Sequence, residues 1–240
     1  MYQFRKFRKT SFIMAFFAAI TLFVQCKKYN GSDNENNPPV TAKNYLPVTA
    51  GSTFTYHSVI NTSATDYTLT ATSADSLVNG NSYTKFTGSD GETRYYRRVG
   101  VNYCQVSSLP SLPGSPVFED NYLNDSLPVN STWNIQFQFP YPLGFPPQLT
   151  AIGTYKIIEK GISLSVSGTT YKDVIHIKLT DVSGYGALSN PPLITGIATG
   201  DFYYALGVGL VQSSLTVTDD PSNGINAYSK TETLKNYTVK

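Results

Sequence analysis

The chain has 240 residues, only 14% of them charged, and a formal net charge of +2. Arg5, Lys6, Arg8 and Lys9 lie in the first 25 residues with no acid among them, so the remainder carries 14 basic against 16 acidic residues, a net −2. Such a body has no basic surface for a nucleic acid, and that class of partner is excluded.

Residues 1–26 fall into three zones. MYQFRKFRK is basic, SFIMAFFAAITLFV (11–24) is uncharged and apolar, and Gln25–Cys26 closes the run. This is the layout of a secretory signal, and the apolar run is short against the roughly 20 residues that a bilayer span needs. A cysteine at the cleavage point, followed by two lysines, resembles bacterial lipoprotein signals, with the CKK start seen in the Bacteroidetes group. The resemblance implies a signal peptide over 1–25 and acylation of Cys26 by palmitate-type chains. It further implies an outer-membrane lipoprotein, lipid-anchored and facing the periplasm or the cell surface. Those signals usually carry a small residue before the cysteine, where Gln25 stands here. An uncleaved N-terminal anchor and an ordinary secreted protein are the alternatives. With Cys26 lipidated, Cys104 has no disulfide partner. Its setting, VNYCQV, predicts a small buried side chain rather than a reactive thiol.

Residues 27–43, KKYNGSDNENNPPVTAK, hold almost nothing that could pack, so 26–43 reads as an anchor and flexible tether. From Asn44 the texture changes to Thr, Val, Ile, Tyr and Phe recurring at period two. STFTYHSVI, DYTLTATS, SYTKFTG, RYYRRVGV, STWNIQFQF, GTYKIIEK, ISLSVSG, DVIHIKLTDV, YYALGVGLVQSSLTV and AYSKTETLKNYTV all read as strands. VNGNS, GSDGE, EKGIS, VSGTT and DDPSNG read as turns. Three stretches rich in proline, 107–128, 139–150 and 185–196, read as loops or edges. Residues 44–240 are thus expected to form a single all-β domain. The architecture is a curved antiparallel sheet, half-barrel or sandwich, with few or no helices.

Three blocks recur in the same order: LPVTAGSTF (46–54) with LPVNSTW (127–133), VNGNSY (78–83) with VSGTTY (166–171), and YYRRVGV (95–101) with YYALGVG (203–209). They point to pseudo-repeated halves at about 45–109 and 127–215. The alternative is a shared hairpin grammar. The opening LPVTAGSTFTY with the late YYALGVGLVQ is similar to uncharacterised Bacteroidetes lipoproteins, whose bodies resemble periplasmic lipoprotein-carrier half-barrels. That resemblance implies a concave surface for an acyl chain or hydrophobic peptide, and no catalytic residue.

The search for chemistry gives little. His57 and His176 sit in strand patterns with no metal-ligand spacing, and no metal or cofactor is expected. No GxSxG or phosphate loop occurs, and GVG at 207–209 reads as a tight bend. Glu119, Asp120 and Asp125 read as a solvated loop, with calcium as the sharper alternative. Arg94, Arg97 and Arg98 read as edge protection, with a lipid headgroup or acidic glycan as the alternative. Phe139, Tyr141 and Phe145 in FPYPLGFP are the candidate ligand-binding residues, either as a platform or as a cap on the sheet. Asp-Ser-Leu at Ser76 and Ser126 resembles a Bacteroidetes O-glycosylation acceptor. The expected function is a membrane-anchored, non-enzymatic envelope lipoprotein binding a hydrophobic or extended ligand. A surface module for glycan or peptide is the alternative. A hydrolase is third, and requires His57 or His176 beside a carboxylate in a cleft.

Overall fold

A computed structural model describes residues 44–108, 114, 117–140, 148–186 and 192–240. Twelve strands follow one another along the chain. The first six are β1 Thr53–Ile60, β2 Ser63–Val78, β3 Asn81–Gly88, β4 Thr93–Val99, β5 Asn102–Ser108 and β6 Val117–Asn124. The second six are β7 Thr132–Pro140, β8 Gln148–Val166, β9 Thr169–Tyr185, β10 Ala198–Ala205, β11 Gly209–Val217 and β12 Tyr228–Thr238. A single 3₁₀ turn, Pro221–Asn223, is the one helical element among the described residues. The all-β expectation therefore holds.

Period-two alternation builds these strands. In β7, Ile135, Phe137 and Phe139 are buried while Gln136 and Gln138 face solvent. In β1, Phe54, Tyr56 and Ser58 alternate inward in the same way. Each large apolar side chain buried on such a face contributes roughly 1.5–3 kcal/mol against leaving it in water.

All twelve strands join one antiparallel sheet in the order β6-β5-β4-β3-β2-β1-β12-β11-β10-β9-β8-β7. Two six-stranded meanders thus meet along β1 and β12, which pair from Thr53↔Thr238 to Ile60↔Lys230. The sheet curls until its edges, β6 and β7, face each other. Side chains close that seam. Phe118 stacks on Phe137 at 4.2 Å, and the Trp133 indole Nε1 donates to the Asn121 carbonyl at 2.7 Å. Lys160 Nζ donates to the carbonyls of Asp125 and Leu127 at 2.9 and 2.7 Å. The result is a nearly closed barrel rather than a sandwich.

The turns carry the expected chemistry with one exception. Asn79–Gly80 joins β2 to β3 with φ of 50° and 78°, and Ser167–Gly168 joins β8 to β9 with φ of 49° and 80°. Two consecutive positive φ values make both of these type I′ hairpins, whose twist matches the flanking strands. The exception is EKGIS, which is no turn. Gly161 has φ of 71° inside β8, where the register with β9 shifts between Lys160 and Ile162. Its glycine makes a bulge that keeps one 19-residue strand running. The three recurring blocks lie at like-numbered places: the approaches to β1 and β7, the β2–β3 and β8–β9 turns, and strands β4 and β10. Tyr96 of β4 and Tyr204 of β10 stand at matching positions in that pairing.

Two further expectations are corrected. Residues 117–124, within the stretch 107–128, are not a loop: VFEDNYLN is β6, paired with β5 through Gln105↔Asp120 and Ser107↔Phe118. An aspartate on its inward face hid the alternation. The arginines do not guard an edge, because β4 lies between β3 and β5. Each instead has a carboxylate partner: Arg94 with Asp90 at 2.7 Å, Arg97 with Glu119 at 2.7 Å, and Arg98 with Asp125 at 3.6 Å.

Candidate functional site

The two halves do not fill the barrel completely. A cavity of about 300 Å³ remains inside, lined from β1 to β6 and from β10 to β12. It extends from the Tyr45–Pro47 approach to the β3–β4 turn, where Glu92 reaches solvent. Strand alternation places its walls. Because Leu234 points inward, Glu232 and Lys230 two and four residues earlier share its face.

The charged lining is internally paired. Lys230 Nζ lies 2.8 Å from Glu232 Oε1, and the Tyr67 hydroxyl donates to the same carboxylate oxygen. Arg94 binds Asp90 and, at 3.1 Å, Glu92, and its guanidinium lies 4.5 Å over the Tyr67 ring. The Tyr56 hydroxyl donates to the Leu210 carbonyl at 2.9 Å. Burial pushes the phenols of Tyr56 and Tyr67 well above the usual tyrosine range, so both stay neutral donors.

A chain of aromatic rings also lines the cavity. Phe86 meets Tyr96 edge-on at 5.1 Å, Tyr96 meets Tyr122 at 6.4 Å, and Tyr122 stacks on Tyr204 at 5.0 Å. Ser213, Gln105 and Ser107 add neutral polar groups.

Behind Gln105 and Ser107 lies Asp120, 4% exposed, at the seam. Gln105 Nε2 and the Ser107 hydroxyl from β5 donate to its Oδ2, as does the Tyr155 hydroxyl from β8 across the seam, at 3.1, 3.5 and 3.2 Å. Its other oxygen, Oδ1, has no partner. Burial therefore outweighs these three hydrogen bonds and pushes the carboxyl up to about 6. An unfolded aspartate titrates near 3.9, so the native state holds the proton more tightly. Stability is then greatest below about pH 4 for this group and falls as pH rises through about 6, by about 3 kcal/mol in all. Asp120→Asn is expected to be more stable than the parent at pH 7 and to show a flatter pH dependence between pH 4 and 6, as read by urea denaturation at several pH values.

The structure distributes the sequence-derived candidates widely. Cys26, Tyr141 and Phe145 lie outside the described residues. Phe139 is fully buried in the core and does not line the cavity, so its ring forms no exposed platform. Ser76 is half-buried in β2, and Ser126 is exposed after β6, its hydroxyl donating to Asn124 at 2.7 Å. Cys104 is fully buried. Each histidine does have a carboxylate. His57 Nδ1 lies 2.6 Å from Asp66 on the exposed surface, and His176 Nε2 lies 2.8 Å from Asp201 with Nδ1 3.4 Å from Glu159. Neither imidazole lines the cavity. His176 is stacked against Tyr203 at 4.2 Å, its Nε2 is held by Asp201, and its Nδ1 is buried without a hydrogen bond. Among the described residues, no group of three His, Cys, Asp or Glu is placed to hold a metal ion.

Sequence reasoning missed the residues that do converge: Tyr96, Tyr122, Tyr204, Ser213 and Glu232. A signal was present for two of them. Tyr96 and Tyr204 fall in the repeated Tyr-Tyr block, and one such pair in each half marks a common position.

No family model matches the chain, and no curated protein matches it. Two solved structures are similar to it. One is an inferred lipoprotein of Parabacteroides distasonis, at 10% identity and a TM-score of 0.44 over 82% of this chain and 99% of that one. The other is an inferred exported protein with a YmcC-like fold from Bacteroides fragilis, at 8% identity and a TM-score of 0.45, with the same coverage. Similarity at this level assigns neither activity nor site.

Proposed function

We propose that this chain is a lipid-anchored cell-envelope protein whose barrel interior holds a ligand without transforming it. The observation that carries this reading is the interior cavity of about 300 Å³, walled by aromatic rings, neutral polar groups and charges paired with one another. Ligand sites are concave, largely apolar and pre-formed, and run from roughly 300 to 1,000 Å³. The volume favours a compact ligand over an extended one. The signal-like segment ending at Cys26 and the tether after it supply the anchoring half of the reading. The test is native mass spectrometry of protein isolated from its own envelope without unfolding, beside the same protein after denaturation and refolding. The native sample is expected to carry one additional small molecule that the refolded sample lacks. Identical masses would overturn the reading.

A second reading, an interaction module for peptide or glycan, is favoured by the topology. The chain leaves β5, β7 and β9 at the same rim of the barrel, so the three proline-rich connections start from one end. It predicts that alanine at Tyr141 and Phe145 abolishes partner capture while the cavity ligand is retained.

A further inference from the structure

Three tyrosine hydroxyls inside the barrel have no hydrogen-bond partner among the described residues. Tyr122 and Tyr204 are 3% and 5% exposed, and Tyr96 sits between Phe86 and Tyr122. All three line the cavity, and among the described residues none of their hydroxyls has a hydrogen-bond partner. Ser213, 7% exposed on β11, lines the same space, and its hydroxyl likewise has no hydrogen-bond partner among the described residues. Gln105 gives its amide N–H to Asp120 and keeps its carbonyl oxygen unused. Polar groups that open onto a cavity take their hydrogen bonds from whatever fills it, so this cluster offers a ligand hydroxyls for which no described protein group competes.

The chemistry of that ligand follows from what the wall offers and what it lacks. Phenol and serine hydroxyls each donate and accept, so the complement is a set of groups that do the same. The charged groups are already matched: Lys230 with Glu232, Arg94 with Asp90 and Glu92. A charged ligand would be buried without a counter-ion, which is strongly unfavourable. A purely apolar ligand would leave the hydroxyls unsatisfied. Burial holds Tyr122 and Tyr204 far above the usual phenol range, so the wall stays neutral across physiological pH. Tyr122, Tyr204 and Phe202 line the cavity and supply aromatic contact for a ring's C–H groups. The cavity volume of about 300 Å³ lies at the small end of the roughly 300–1,000 Å³ of ligand sites, which suits a single six-membered ring.

From these observations we infer that the barrel interior is a binding site for a neutral, monosaccharide-sized polyhydroxylated ring, hydrogen-bonded by Tyr96, Tyr122, Tyr204 and Ser213. The inference rests on the reading that the interior holds a ligand, and it names the class. Isothermal titration calorimetry on the purified protein tests it. The panel is glucose, galactose, mannose and N-acetylglucosamine, with glucuronate and glucosamine as charged counterparts and dodecanoate as an apolar control. At least one neutral sugar is expected to bind, its charged counterpart at least tenfold more weakly, and dodecanoate not at all. Tyr122→Phe and Tyr204→Phe keep ring and volume and remove only the hydroxyl. Each is expected to weaken sugar binding about three- to tenfold with Tm unchanged, because the hydroxyl has no protein partner to lose. Tighter binding of dodecanoate or of a charged sugar, Tyr→Phe variants that bind the sugar as well as the parent, or no binding across the panel would each overturn the inference. Native mass spectrometry separates the two failures. A molecule retained from the envelope with no sugar binding sinks the ligand class alone, whereas no retained molecule sinks the ligand-holding reading itself.

Discussion

Phe139→Ala is expected to destabilise the barrel by about 3–5 kcal/mol, the usual cost of deleting a buried aromatic ring. The ring is 0% exposed, and its register partner across the β7–β8 pair, Leu149, is also fully buried. The space beside them is tight: a Cβ built on Gly184 would lie 3.3 Å from Leu149 and 3.5 Å from the Phe139 ring. Phe137 lies 6.4 Å away on the same face, next to the seam contact with Phe118. Removing the ring opens a void that neighbours held by strand pairing cannot collapse into. Urea denaturation should show a lower midpoint with an unchanged slope. Were Phe139 a surface ligand contact, as its place in FPYPLGFP implied, stability would stay within about 0.5 kcal/mol and only binding would fall.

Cys26→Ser is expected to release the protein almost entirely from the membrane fraction. The tether that follows, KKYNGSDNENNPPVTAK, has no apolar stretch that could hold a bilayer. Acyl chains contribute roughly 0.8 kcal/mol per buried CH₂, and stable anchoring takes more than one chain, so loss of the acylated thiol removes the attachment wholesale. Fractionation with labelled palmitate measures both effects: the parent should be labelled and sedimenting, the variant unlabelled and soluble. A variant that stays with the membrane would instead indicate that residues 11–24 persist as an uncleaved anchor.

Much of the fold was legible because alternation is a local signal. Phe54, Tyr56, Ile135 and Phe137 each announce their face within a few residues, and Asn79–Gly80 announces a type I′ turn by itself. What escaped was non-local or disguised. Gly161 looks like a turn, but the pairing of β8 with β9 on both sides makes it a bulge. β6 looks like a loop because Asp120 occupies an inward position where an apolar residue is expected, and only Gln105, Ser107 and Tyr155 make that tolerable. The closure of β6 against β7 leaves no sequence signature, since it is made by Trp133, Phe118 and Lys160 rather than by a ladder. The site was illegible for a related reason. With eighteen tyrosines in the chain, nothing marks Tyr96, Tyr122 and Tyr204 until the barrel brings β4, β6 and β10 around one space. Motif reasoning looks for reactive groups at short spacing, and this wall is built from unreactive ones at long spacing.

A barrel that holds a ligand is occupied when it leaves the cell. A crystal structure of protein taken from its own envelope without unfolding tests this most directly. Continuous density for a single compact molecule is expected in the cavity, within hydrogen-bond distance of the Tyr96, Tyr122 and Tyr204 hydroxyls. A cavity in that crystal holding only ordered water would contradict it.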